Sequence, residues 1–237
     1  ITATTGNITQ GAALDIEGTT TLVTLADNGT IDLKVDSITN AFTGKLLITT
    51  NDTGSETDGD VEIDGGTTNL ILGTSTIDGD LDIVSGGTIT DAVGETVTIR
   101  GNISAATDAN NSDITLDSLE IGGISLLAPN GTGAVTIVNA NGIDFVAMTV
   151  RGNFFATATT GNITQSGALT ITGTSTLVTS ADNATITLND GGNTFTGKLL
   201  ITTNDNNSPS DSTYAAHVII HGGTTDLKIG LSTIEGN

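Results

Sequence analysis

A self-match inside the chain limits its fold more than any other feature. TATTGNITQ at 2–10 returns letter for letter at 157–165, and 24 of the 35 residues at 1–35 are repeated at 156–190. FTGKLLITTND at 42–52 returns at 195–205. GGTTNLILGTSTIDGD at 65–80 returns as GGTTDLKIGLSTIEGN at 222–237. A unit of about 155 residues therefore occurs about one and a half times: 1–80 matches 156–237, and 81–155 intervenes. Fixed-period self-similarity is the mark of repeat architectures.

A shorter beat runs inside the long one. An apolar residue, a spacer, Gly, a spacer and an apolar residue recur around Gly44, Gly79, Gly101, Gly152 and Gly197, with looser versions at Gly18, Gly123 and Gly173. The steps 79 to 101 and 101 to 123 are both 22 residues. Between these glycines apolar and polar residues alternate, as in Leu81, Ile83; Val97, Ile99; Ile114, Leu116; Ile186, Leu188. Period two means strands with one buried face, and Gly, Asn, Asp and Thr separate them as turn formers. No stretch carries helical periodicity. One coil of about 22 residues cannot bury its own apolar row, whereas stacked coils bury it continuously.

The reading is all-β: a right-handed parallel β-helix (β-solenoid), about 22 residues per coil, one continuous segment over 1–237. About ten coils at ~4.8 Å spacing would make a rod roughly 50 Å long. Twelve residues are expected inside: Leu81, Ile83, Ile99, Ile103, Ile114, Leu116, Val135, Ile137, Ile171, Leu177, Ile186 and Leu188. The beat glycines suit corners needing positive φ or close backbone approach. The polar tracts 51–60 and 204–213 are expected as loop insertions leaving one corner. A β-sandwich is the competing fold, but it explains neither repeat. The repeat also leads us to expect both ends to be cut faces of a longer solenoid, for copy one continues past Asp80 into LDIVSGG.

Composition narrows the function. With 27 acidic and 6 basic residues the net charge is −21, so the chain would repel nucleic-acid phosphate. Zero Cys excludes disulfide scaffolds, thiolate zinc sites and CxxC redox chemistry. No apolar run approaches the ~18 residues of a membrane span.

The segments GNITQSGALTITGTSTLVTSADNATITL at 161–188, NTFTGKLLITT at 193–203 and VTIVNANGIDFVAMTVRGN at 135–153 resemble the repeats of filamentous-haemagglutinin-like bacterial exoproteins, large adhesins often exported by two-partner secretion. The resemblance implies a right-handed β-helix, an extracellular location at the bacterial cell surface and a structural or adhesive role. Expected partners are neighbouring coils or copies of the same protein end to end, with host or cell-surface glycans or proteins as candidate ligands.

Site chemistry is sparse. Asp15, Glu17 and Asp32 become Thr170, Thr172 and Thr187 in the second copy, so charge is interchangeable with hydroxyl there. That describes a solvated face rather than an acid/base pair. We expect no enzyme, no catalytic residue and no cofactor. Carbohydrate binding or carbohydrate-active chemistry is the alternative function, and ice binding is a third reading. The latter would need a flat TxT ladder repeated at every coil, and 81–155 shows no such ladder. Weak metal candidates are Asp52, Glu56, Asp58 and Asp60 in the first tract, and His217 and His221, the only histidines. A surface role is the blander reading for all six, since the tract matches no calcium-loop spacing and two imidazoles are too few for a closed site. Lys45 and Lys198 stand in identical FTGK contexts, suiting charges that discourage sideways strand pairing.

Overall fold

The computed structural model describes residues 1–34, 39–54, 58–205 and 216–235. The chain winds into an all-β parallel solenoid of about nine turns, with about 22 residues per turn and, among the described residues, no helix. Every ladder between named strands is parallel, because each strand pairs with its counterpart one coil away. A long sheet of 13 strands and a second sheet of 10 run along the molecule. A two-stranded sheet, Asp15–Ile16 with Ala41–Phe42, adds a further face near the start. A three-stranded sheet, Met148–Val150, Leu169–Ile171 and Thr194–Phe195, does the same later. Among the described residues no helix is long and apolar enough to cross a membrane.

The beat is visible as register. In the second sheet Leu81 faces Ile103, and Ile103 faces Ser125, steps of 22 residues. Two steps are longer: Ile31 to Val61, 30 residues, and Ile186 to Val218, 32. The extra residues follow the matching strands Lys45–Asn51 and Lys198–Asn204, between the long and second sheets. Parts of both tracts, 55–57 and 206–215, lie outside the described residues.

Alternation places the core. All twelve residues expected inside are at most 1% exposed. They join one apolar cluster reaching from Ile8 to Ile201. The beat glycines serve close approach. A Cβ on Gly173 would sit 2.2 Å from the carbonyl oxygen of Gly152, and one on Gly197 2.0 Å from that of Gly173. Neither glycine has positive φ. Stacking a corner at strand spacing leaves no room for a methyl group, and that fixes Gly here.

Left-handed backbone falls to asparagine at another corner. Asn28, Asn111 and Asn183 have φ of 57°, 63° and 61°. Four residues before each, an inward Thr closes the turn: Thr24 Oγ1 donates to Gly29 O, Thr107 Oγ1 to Ser112 O and Thr179 Oγ1 to Ala184 O. Asn tolerates this conformation better than other residues with a Cβ.

Buried amides close a third corner. Asn40 and Asn193, copies of each other, are at most 1% exposed. Asn193 Nδ2 donates to Gln165 Oε1 and Leu188 O, while its Oδ1 accepts from Gln165 Nε2 and the Leu169 amide. Asn40 makes the same set with Gln10, Leu33 and Leu14, and adds a bond to Asp64 O. These amides satisfy backbone groups that a corner would otherwise bury unpaired.

Candidate functional site

A concavity arises where the solenoid changes shape. In the middle coils the long sheet's rung is split in two: Leu70–Leu72 with Ser75–Ile77, then Ile89–Asp91 with Val97–Ile99. Ile114–Ile121 rejoins the pieces, pairing with both Ile89–Asp91 and Val97–Ile99. Its bend is held by Asp91, whose carboxylate accepts the amides of Asp117 and Ser118 at 3.0 and 2.7 Å. Burial pushes the Asp91 carboxyl above the usual range, and these two amide bonds oppose the rise.

The next coil is short. Val135 to Phe154 is a step of 19 residues. Leu119, Glu120 and Ile121 all pair with Val97–Ile99 on one side, but on the other only Leu119 has a counterpart, Asn139. Asn139 takes the place of a strand: its Oδ1 accepts the Ile121 amide at 2.8 Å, and its Nδ2 donates to Gly142 O at 2.6 Å. The missing strand leaves a groove of about 420 Å³ beside Ile121, Gly122 and Gly123. Asn141, Gly142, Ile143, Asp144, Asn162 and Thr164 complete its lining. Asp144 is half-buried, and its Oδ1 is buried with no hydrogen-bond partner among the described residues.

The metal candidates are not gathered. Among the described residues no group of three or more His, Cys, Asp or Glu stands together to hold an ion. Asp52 is 7% exposed, and its Oδ1 accepts the Gly54 amide while its own amide donates to Asp78 Oδ2. Asp60 Oδ1 accepts the Asp80 amide from the next coil, Asp80 the Asn102 amide, and Asn102 the Ile124 amide. Asp60 thus begins a ladder in which each side chain clasps the following coil. Asp58 is half-buried, and Glu56 lies outside the described residues. His217 and His221 flank the strand Val218–Ile220. Four residues of extended chain separate them by about 13 Å, too far to share one ion. His221 Nδ1 accepts the Gly223 amide.

Among the described residues, ion pairs clasp coils: Lys34 with Asp82, Lys45 with Glu95, and Arg100 with Asp78 at 3.0 Å. Lys45 and Glu95 are 50 residues apart, so the pair reaches across two coils. The hydrogen bond from Lys45, then the amide of Thr74, hold the Glu95 carboxyl below its usual value. A carboxyl depressed by folding stabilises above its unfolded pKa, about 4.3, and loses that contribution as pH falls through the lower folded value. Glu95→Gln should therefore lower the melting temperature at pH 7 and leave it unchanged near pH 2, measured by calorimetry. An equal loss at both pH values would refute the assignment.

The outward faces differ between copies. On the long sheet Thr21, Val23, Leu47 and Thr49 return unchanged as Thr176, Val178, Leu200 and Thr202. On the second sheet Asp32, Lys34, Glu62 and Asp64 become Thr187, Asn189, Ile219 and His221. Two short files of threonines lie on the long sheet, Thr49, Thr76 and Thr98, and Thr90, Thr115 and Thr136. Glu120 interrupts the first and Phe155 the second, so neither runs through every coil.

The groove was not legible residue by residue. Asp144 reads as one more outward residue of an alternating strand. The available signal was a gap in the glycine beat, from Gly123 to Gly152, where the coil shortens.

Comparison with known proteins identifies one family. The family model described as "Repeats of unknown function (DUF5649)" matches residues 1–49, 58–121 and 132–202, most of the chain, and the chain belongs to that family. No curated protein and no solved structure matches it.

Proposed function

We propose that this chain, as a member of that repeat family, is a structural segment of a large secreted or cell-surface bacterial filament or adhesin. It acts as a rigid, non-catalytic rod whose units stack coil on coil. The parallel solenoid supports this reading, because every coil offers the next the same pairing edge and the same apolar interior. The observation that carries it is one apolar cluster running from Ile8 to Ile201 through successive parallel coils, which gives the segment a continuous, rigid interior.

Antibodies raised against the chain should label the surface of intact producing cells, and small-angle X-ray scattering on the chain should return the profile of a rod. Labelling that needs permeabilised cells, or a globular scattering profile, would overturn the reading.

A further inference from the structure

We propose that the groove beside Gly122 and Gly123 is a binding site for a neutral saccharide. The inference is independent of that reading. Asp144 presents the only charge in the groove lining, and its Oδ1 is buried without a hydrogen-bond partner among the described residues. A half-buried carboxylate with one unpaired oxygen is costly, and a ligand donor reaching its exposed side from the groove offsets that cost. Around it stand groups of mixed character. Asn141 and Asn162 carry amides able to donate and accept, and Thr164 carries a hydroxyl. Each sugar hydroxyl donates one hydrogen bond while accepting others, so a vicinal pair of hydroxyls matches a carboxylate flanked by amides.

Other ligand classes fit less well. A divalent cation takes six to eight oxygens, usually from several carboxylates, and here there is one. A phosphate, sulfate or uronate would meet Asp144 with no Lys or Arg in the lining to offset it. At about 420 Å³ the groove is within the size range of small-ligand sites. It occurs once in the chain, because 121–144 lies in the part that has no second copy.

Saturation-transfer-difference NMR on the full chain is the test, for it reads binding directly. Cellobiose, lactose and N,N′-diacetylchitobiose are the neutral probes; putrescine, calcium chloride and a sulfated disaccharide are the charged ones. At least one neutral probe should bind saturably with a millimolar Kd. Asp144→Ala should weaken it about tenfold or more, as loss of a charged hydrogen-bond partner does. Asn141→Ala, at an exposed corner position, should weaken it several-fold and keeps the test informative if the first variant misfolds. Failure of all three neutral probes, retention of binding in both variants, or groove-dependent binding of a charged probe instead would overturn the proposal.

Discussion

Phe145→Ala is expected to destabilise the protein by about 3–5 kcal/mol, the range for removing a fully buried aromatic side chain. Phe145 is 0% exposed and meets Phe154 edge to face, with ring centroids 5.2 Å apart and planes at 69°. It belongs to the second sheet, where it faces Ser125 on one side and Gln165 on the other. The space left by the ring is enclosed by coils above and below, so collapse around it is limited. Phe155, one residue beyond Phe154, points outward and is only half-buried. Phe155→Ala is the matched control and should lose about 1 kcal/mol or less, as partly exposed positions do. Urea unfolding followed by circular dichroism compares the two. Equal losses would refute the assignment of Phe145 to the inward face and Phe155 to the outward one. Because each coil contacts only its neighbours, the Phe145 variant should also lose amide-exchange protection first near Ser125–Gln165 and last in distant coils.

Much of this architecture is legible before any coordinates, for a physical reason. A solenoid writes its fold in local patterns. Alternation gives the buried face, and the glycine step gives the length of a coil. Leu81, Ile83, Ile99 and Ile103 needed no tertiary information to be placed inside. What the patterns hide are departures from the repeat. Asn40 and Asn193 look like turn residues in a chain rich in Asn, yet they are buried and hold four or more hydrogen bonds each. Their role depends on Gln10 and Gln165, one corner away on the neighbouring coil, and sequence spacing does not show that contact. The same holds for Asp52. Its companions were sought within its own tract, at Asp58 and Asp60. Stacking brings it Asp78 instead, 26 residues away. The groove at Asp144 comes from a strand that is not there, and alternation cannot register a missing rung.

Asn193→Ala should be nearly as damaging as loss of the Phe145 ring, though by a different mechanism. The substitution leaves the Leu169 amide and Gln165 Oε1 without their partners at a buried corner, while the Leu188 carbonyl keeps the His221 amide and Gln165 Nε2 keeps Gly167 O. Each buried group left unpaired is worth about 1–3 kcal/mol, so a total of about 2–5 kcal/mol is expected. Gln165→Ala removes the two bonds between the amides and the bond from Gln165 Nε2 to Gly167 O, and leaves Asn193 bonded to the backbone at Leu169 and Leu188. Its loss should be smaller, about 1–2 kcal/mol. In the double variant Gln165 no longer needs a partner, so the two losses should not add. A double-mutant cycle from urea unfolding measures the coupling. Strict additivity would mean that the amides do not act as a pair. The equivalent cycle on Asn40 and Gln10 should give the same sign, since the reciprocal geometry recurs there with bonds of 3.1 and 3.0 Å. Agreement between the two cycles would show that the super-repeat copies an energetic device along with the strands.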